Sequence, residues 1–331
     1  MDSTVHPAGA GKFERSATVD DEHAGMRVDV YLSDVLDLFH RSQIAHRSVT
    51  VAIDGVPAKL SRRLRAGQRV IVRYETPPPV HAEAQPVGFE VLYENADVVV
   101  INKPRGLVVH PGAGNRSGTL VNGLLYHVQG LGERFGDQVR PGIVHRLDKD
   151  TTGVLIAAKS PAALDALARQ FAHRTTDKLY LAVVTGIVKG ADGTIVAPIG
   201  RDPRHRQRFA VNAPSGKPAV TGYRVIGRFD RRTLVELRPQ TGRTHQLRVH
   251  MASLGCPIVG DALYGRRTSD DPLLLHAWSL RIVLPGETDA REFVARVPEE
   301  FSTRLPQALR RRVETSYAPA QPSTEAPRTE G

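Results

Sequence analysis

Only one cysteine, Cys256, occurs in the 331 residues. A disulfide within the chain is therefore excluded, and so is a zinc site built from several thiolates. No apolar run approaches the ~18 residues that crossing a bilayer requires, so no membrane span is expected. The first twenty residues lack the apolar stretch of a signal peptide, and a cytoplasmic protein is expected. Lysine is scarce: it supplies 8 of the 45 basic residues and arginine the other 37, against 35 acids. The formal net charge is +10. A genome-wide preference for arginine would explain the Arg/Lys ratio but not the net charge. Excess positive charge points to a polyanionic partner, and the guanidinium fork suits phosphate because it bonds two oxygens at once. Apolar residues make up 40% of the chain, enough for a packed core. The length suggests about two domains.

Residues 1–23 are polar and glycine-rich and read as a flexible arm. Residues 24–74 read as a small α+β domain. Val28, Leu32, Val35 and Leu36 have helical spacing, and a second short helix fits Arg41–Arg47. Two short strands follow about the Asp54-Gly55 turn, and Val70-Ile71-Val72 forms another. From Arg41 to Arg73, eight basic residues face a single acid, Asp54. Residues 75–88, with Pro77-Pro78-Pro79 and Pro86, read as a semi-rigid linker. Residues 89–311 form a large domain, and 312–331 a disordered tail rich in Pro, Ser, Thr, Ala and Glu. Within the large domain, strands are expected at 98–101, 178–186 and 233–238. Ser160-Pro161 caps a helix whose apolar face includes Leu164, Leu167 and Phe171, and a second helix runs from near Thr244 to Gly255. Turns rather than helices separate many strands, which favours a mixed, largely antiparallel α+β core over a doubly wound sheet.

Three segments look reactive. His145-Arg146-Leu147-Asp148-Lys149-Asp150-Thr151-Thr152-Gly153 packs two carboxylates, three cations (His145 counted as a potential one) and two hydroxyls into a turn that enters an apolar strand. Such a knot is costly to build for structure alone. Lys178 and Tyr180 share one face of a strand, where a lone tyrosine is ordinarily a core residue with a wet tip. The third, Gln240-Thr241-Gly242-Arg243-Thr244-His245-Gln246-Leu247-Arg248-Val249-His250, crowds polar groups at a helix start, where free N–H groups favour anions. Alone, it would be a helix cap with solvated bases. The run Gly112–Gly118 mimics a dinucleotide-binding loop but lacks the spacing. His245 and His250 complete no metal set.

The small domain resembles the S4 RNA-binding domain, through Gly25-Met26-Arg27-Val28-Asp29-Val30-Tyr31-Leu32, Arg41-Ser42-Gln43 and Ala66-Gly67-Gln68-Arg69-Val70. It departs from that pattern at Asp54-Gly55, where Asn-Gly is common. Together, the three reactive segments are similar to the signature motifs of the RluA/RluD family of RNA pseudouridine synthases. Matching stretches also include Asn102-Lys103-Pro104, His110-Pro111-Gly112, Gly118–Asn122, Gly260-Asp261 with Tyr264-Gly265, and Leu275-His276-Ala277.

The resemblance implies a pseudouridine synthase fold with an S4 domain in front. It also implies isomerisation of uridine to pseudouridine in RNA without a cofactor or metal. Asp148 is then the catalytic nucleophile, Arg243 the cation that keeps it ionised, and Tyr180 the active-site tyrosine. Leu247 walls the pocket, and Arg146 fills the gap left by a flipped-out uridine. Arg41, Arg62, Arg63, Arg204 and Arg206 are candidate RNA contacts. The implied partner is RNA, 23S ribosomal RNA or a large-subunit precursor, and a monomer without membrane association is expected. Two rival readings remain: an S4-type ribosome assembly factor with an inactive catalytic domain, and an RNA glycosidase that releases free uracil.

Overall fold

The computed structural model describes residues 4–7, 12–36, 38, 49–75, 82–112, 114–136, 140–205, 207–213, 215–265 and 271–317. The chain divides into two units, residues 1–81 and 82–331.

In the first unit, strands β1 (Thr4–Pro7), β2 (Lys12–Thr18), β3 (Thr50–Ile53), β4 (Val56–Ala58) and β5 (Arg69–Glu75) form an antiparallel sheet in the order β1-β2-β5-β3-β4. The hairpin about Asp54-Gly55 is present. Both residues have positive φ, 52° and 80°, as a tight two-residue turn demands. The Asp54 carboxylate accepts from the Arg69 backbone N–H at 2.8 Å and from Gln68 Nε2 at 3.1 Å, so an acid fixes the turn to the next strand.

Val28, Leu32 and Leu36 are buried with Ile53, Leu64 and Val70. Their helical spacing is realised as one α-turn, α1 (Val28–Val30), continuing into a π-turn over Tyr31–Val35. The expected helix at 41–47 lies outside the described residues. The flexible-arm expectation is overturned at 12–18. That segment pairs along the whole of β5, from Lys12 opposite Glu75 to Thr18 opposite Arg69, and Ala17 and Val19 enter the core. Without β2, the second edge of β5 would present unpaired backbone groups.

The second unit is built on β6 (Glu90–Glu94), β7 (Val98–Lys103), β8 (Thr152–Ala158), β9 (Asp177–Thr185), β10 (Asp192–Val196), a separate hairpin of β11 (Ile199–Arg201) and β12 (Phe209–Val211), β13 (Val220–Phe229), β14 (Arg232–Pro239), β15 (Leu275–Val283) and β16 (Ala290–Val294). Its main sheet runs β10-β13-β14-β9-β15-β8-β7-β6, with β16 also on β15. Every pairing is antiparallel except the short one between β8 and β15. This is the mixed, largely antiparallel α+β core expected. The helices are α2 (Leu120–His127), α3 (Leu131–Phe135), α4 (Pro161–His173), α5 (Gln246–Ser253), α6 (Glu299–Ser302) and α7 (Gln307–Ser316). Ser160 caps α4 as expected, its Oγ accepting from the Ala163 N–H at 3.2 Å. Among the described residues no helix is long and apolar enough to cross a membrane.

Two further expectations are corrected. Residues 82–88 of the supposed linker pack on this unit: the Gln85 N–H donates to the Asn122 carbonyl at 3.0 Å, and Val87 and Phe89 close over Gly123. The tail expectation fails at 312–317, because Val313 and Tyr317 are buried one helical turn apart against β9 and β14. Tyr317 Oη donates to Glu236 Oε2 at 2.9 Å, and Trp278 Nε1 donates to its carbonyl at 2.6 Å.

The parallel pairing brings the start of β8 against β15, and there Gly153 has φ +112°. A Cβ at 153 would lie 2.1 Å from the Ala277 carbonyl oxygen. Gly153→Ala is expected to destabilise the protein by about 2–6 kcal/mol, from backbone strain plus overpacking. A thermal melt checks this; a midpoint unchanged within error would contradict it.

Candidate active site

The loop before β8 is anchored at both ends, by a partly buried ring at one and a buried ammonium at the other. The His145 ring stacks on Phe171 with centroids 4.6 Å apart, and its Nε2 accepts the Ile156 N–H at 3.1 Å. Burial, with Lys178 nearby, pushes its pKa down to about 3, so this imidazole is neutral rather than a third cation. At the other end the Lys103 side chain is fully buried. Its ammonium donates to the carbonyls of Pro104, Leu107 and Lys149 at 2.8, 2.9 and 2.9 Å. Burial brings the Lys103 pKa down to about 8, with Asp150 and Asp148 opposing the shift. Between these anchors the Thr151 N–H bonds the Asp148 carbonyl at 3.1 Å, closing a turn that presents the Asp148 side chain.

Asp148 faces α5. Arg248 Nη1 donates to Asp148 Oδ2 at 3.0 Å, and His245 Nε2 lies 3.9 Å from Oδ1. The rest of the guanidinium grips Asp261, Nε to Oδ2 at 2.7 Å and Nη2 to Oδ1 at 2.9 Å. Burial disfavours the charge on Arg248, yet its bonds to Asp261 and Asp148 outweigh burial and raise its pKa. Asp261 has a fully buried side chain. Burial alone would raise its pKa; Arg248, with the N–H groups of Leu263 and Tyr264, holds it below the usual carboxylate range. One guanidinium thus joins a sealed carboxylate to a partly open one.

The expected ion pair between Arg243 and Asp148 is therefore corrected to Arg248. Arg243 stands in the turn before α5, where its Nε donates to the Pro218 carbonyl at 3.1 Å. Gln246 sets that turn, its Oε1 accepting from the Arg243 N–H at 3.0 Å and Thr241 Oγ1 at 2.7 Å while Nε2 donates to the Val220 carbonyl at 3.0 Å. Arg243 still lines the cavity in front of Asp148.

That cavity, about 410 Å³, also gathers Arg146, Tyr180, Leu247 and Arg248. Tyr180 projects from β9. Burial, and secondarily the negative Asp148, raises its pKa, so the phenol is neutral. Leu247 is buried as a wall. Arg146 is exposed. A larger cavity of about 1090 Å³, between Lys103 and Tyr317, contains none of Asp148, Tyr180 and Arg248.

Of the other candidates, Arg204 is exposed in the turn between β11 and β12, beside Asp202. In the first unit Arg62 and Arg63 are exposed, and Arg63 Nη1 donates to the Gly25 carbonyl at 2.8 Å. Arg41 and Arg206 lie outside the described residues. Reasoning from sequence missed Asp261 and Lys103 as parts of the site. Both fall in stretches that carry the family resemblance, which is the signal that could have found them.

Residues 97–253 match the family described as RNA pseudouridylate synthase. The chain is 41% identical to the RNA pseudouridine synthase YlyB of Bacillus subtilis, over 86% of this chain and 95% of that protein. It is 43% identical to ribosomal large subunit pseudouridine synthase D of Xanthomonas campestris, over 89% and 92% respectively. Among solved structures, human RNA pseudouridylate synthase domain containing 1 is similar with a TM-score of 0.53 and 30% identity, over 65% of this chain and 86% of that one.

Proposed function

The chain belongs to the RNA pseudouridylate synthase family, isomerases that convert uridine in RNA to pseudouridine, and from that premise we propose that it modifies specific uridines of large-subunit ribosomal RNA with Asp148 as nucleophile. The observation that carries this reading is the Arg248 fork. It supports a charged carboxylate, with 18% of its side chain exposed, at the edge of a cavity of nucleotide size.

The reaction breaks the N1–C1′ bond, turns the base and joins C1′ to C5. The C5 proton leaves and N1 gains one, so the change balances without an oxidant, a reductant or a cofactor. Asp148 attacks C1′, adds to the base, or removes a proton on a glycal route; each requires it ionised. Arg248 pairs with the carboxylate and orients one oxygen, leaving the other toward the cavity. Tyr180 meets the base as a neutral phenol, offering a flat apolar face and one hydroxyl. Leu247 closes the pocket. The target uridine must leave its stack to reach the carboxylate, and Arg146 at the mouth takes its place. Unpaired loops are the least costly sites for this.

The first unit is read as an S4-type RNA-binding domain that, with Arg204 and its neighbours, engages phosphates. Several phosphate contacts make affinity fall with salt, by a slope of about −0.7 per contact on single strands. The protein acts as a cytoplasmic monomer on this reading. Mapping of pseudouridines in large-subunit rRNA from cells with and without the gene tests the assignment. Loss of one or more sites is expected, restored by the wild-type gene. An unchanged map would overturn the rRNA substrate.

A further inference from the structure

A second cavity, about 470 Å³, shares with the first Arg146, Leu147, Asp148, His245 and Arg248. Its own wall includes His110, Asn115 and Lys149. His110 is 8% exposed, and its Nδ1 is buried with no hydrogen-bond partner among the described residues. Buried polar groups are nearly always bonded, so an unpartnered ring nitrogen on a side chain that lines a cavity marks unused hydrogen-bonding capacity beside it.

From these observations we propose that the second cavity binds the nucleotide immediately beside the target uridine and that His110 reads the edge of its base, making His110 a specificity-determining residue. The inference rests on the RNA-modifying reading above and adds a recognition site to it.

Four features support it. Asp148 lines both cavities, so an RNA strand delivering a uridine to one passes its neighbour to the other. Arg146 and Lys149 line the second cavity as cations for the connecting phosphates; of the three carboxylates there, Asp148 and Asp261 are paired with Arg248, which leaves Asp150 as the further opposing charge. His110 is a neutral reader: burial, then the positive Arg140 and Arg146, brings its pKa down to about 4, so the ring keeps one donor and one acceptor. Finally, its position is fixed relative to the nucleophile. The Lys103 ammonium ties the Leu107 carbonyl to the Lys149 carbonyl, and the Val108 and Val109 carbonyls accept from Leu120 and Val121 at the start of α2.

The test uses the full-length protein and large-subunit rRNA fragments containing a mapped uridine, with each of the four bases in turn at either neighbouring position. Turnover is read as tritium released from uridine C5. Wild type should favour one neighbour over the worst by about tenfold, as expected for a buried hydrogen bond made or left unmade. His110→Phe keeps the ring and loses both nitrogens. It should reduce that preference to within about threefold, chiefly through KM on the favoured RNA. His110→Gln, with an amide donor and acceptor, should retain or redirect the preference. If His110→Phe does not fold, Asn115→Ala from the same cavity should also narrow the preference. Unchanged discrimination in these variants, or an equal loss with every neighbour, would overturn the proposal. Absence of pseudouridine with any RNA in the wild type would instead overturn the functional reading.

Discussion

Asp148→Asn is expected to lower pseudouridine formation by about 10⁴-fold or more while leaving RNA affinity within a few-fold. The amide has the shape of the carboxylate but neither its charge nor its nucleophilicity. On the proposed reading RNA binding draws instead on the arginines, and Arg146 and Arg243 at the cavity are left in place by this substitution. Arg248 keeps its two-bond grip on Asp261, so the fold loses only the outer half of the bridge. The measurements are tritium release from RNA labelled at uridine C5, filter binding, and a thermal melt. Normal release by the variant would remove Asp148 from the mechanism. Release of free uracil by the wild type would instead favour the glycosidase reading.

Which parts of this site were legible in the sequence follows from how local each signal is. The Asp148 turn and the strand it enters are contiguous, so charge and hydrophobic pattern name both. Tyr180 and Leu247 sit on elements whose periodicity is clear. The largely antiparallel sheet was legible because turns join so many of its strands. The pairing of Arg248 was not. Arg243 and Arg248 occupy one motif, and what separates them is Asp261, thirteen residues beyond Arg248, folding back to anchor one guanidinium and not the other. Lys103 is similar, since its importance lies in collecting the Lys149 carbonyl from 46 positions away. Strand β2 has few apolar residues, and the β5 backbone that recruits it is more than fifty residues away. Tyr317 closes a polar-looking tail, and its burial depends on Trp278 and Glu236.

Arg248→Met should be the most damaging substitution for stability and activity together. Removing one partner of a buried ion pair typically costs about 3–5 kcal/mol, because the charge left behind is uncompensated. Here the sealed Asp261 is left in that state, and Asp148 loses its partner as well. For a unit of this size the loss corresponds to a fall of about 6–20 °C in melting temperature. Arg248→Lys should recover little, since an ammonium cannot reproduce a fork that bonds both oxygens of Asp261 while a further N–H reaches Asp148. Arg243→Ala should leave the melting temperature nearly unchanged and act mainly on RNA affinity, because its side chain bonds a backbone carbonyl rather than a buried acid. Turnover per folded molecule separates loss of catalysis from loss of fold. The folded fraction of Arg248→Met, lacking the group that orients the Asp148 carboxylate, should form pseudouridine well below the wild-type rate. A wild-type melting temperature and turnover in Arg248→Met would refute the bridge; equal damage in Arg243→Ala would restore Arg243 to the role first expected of it.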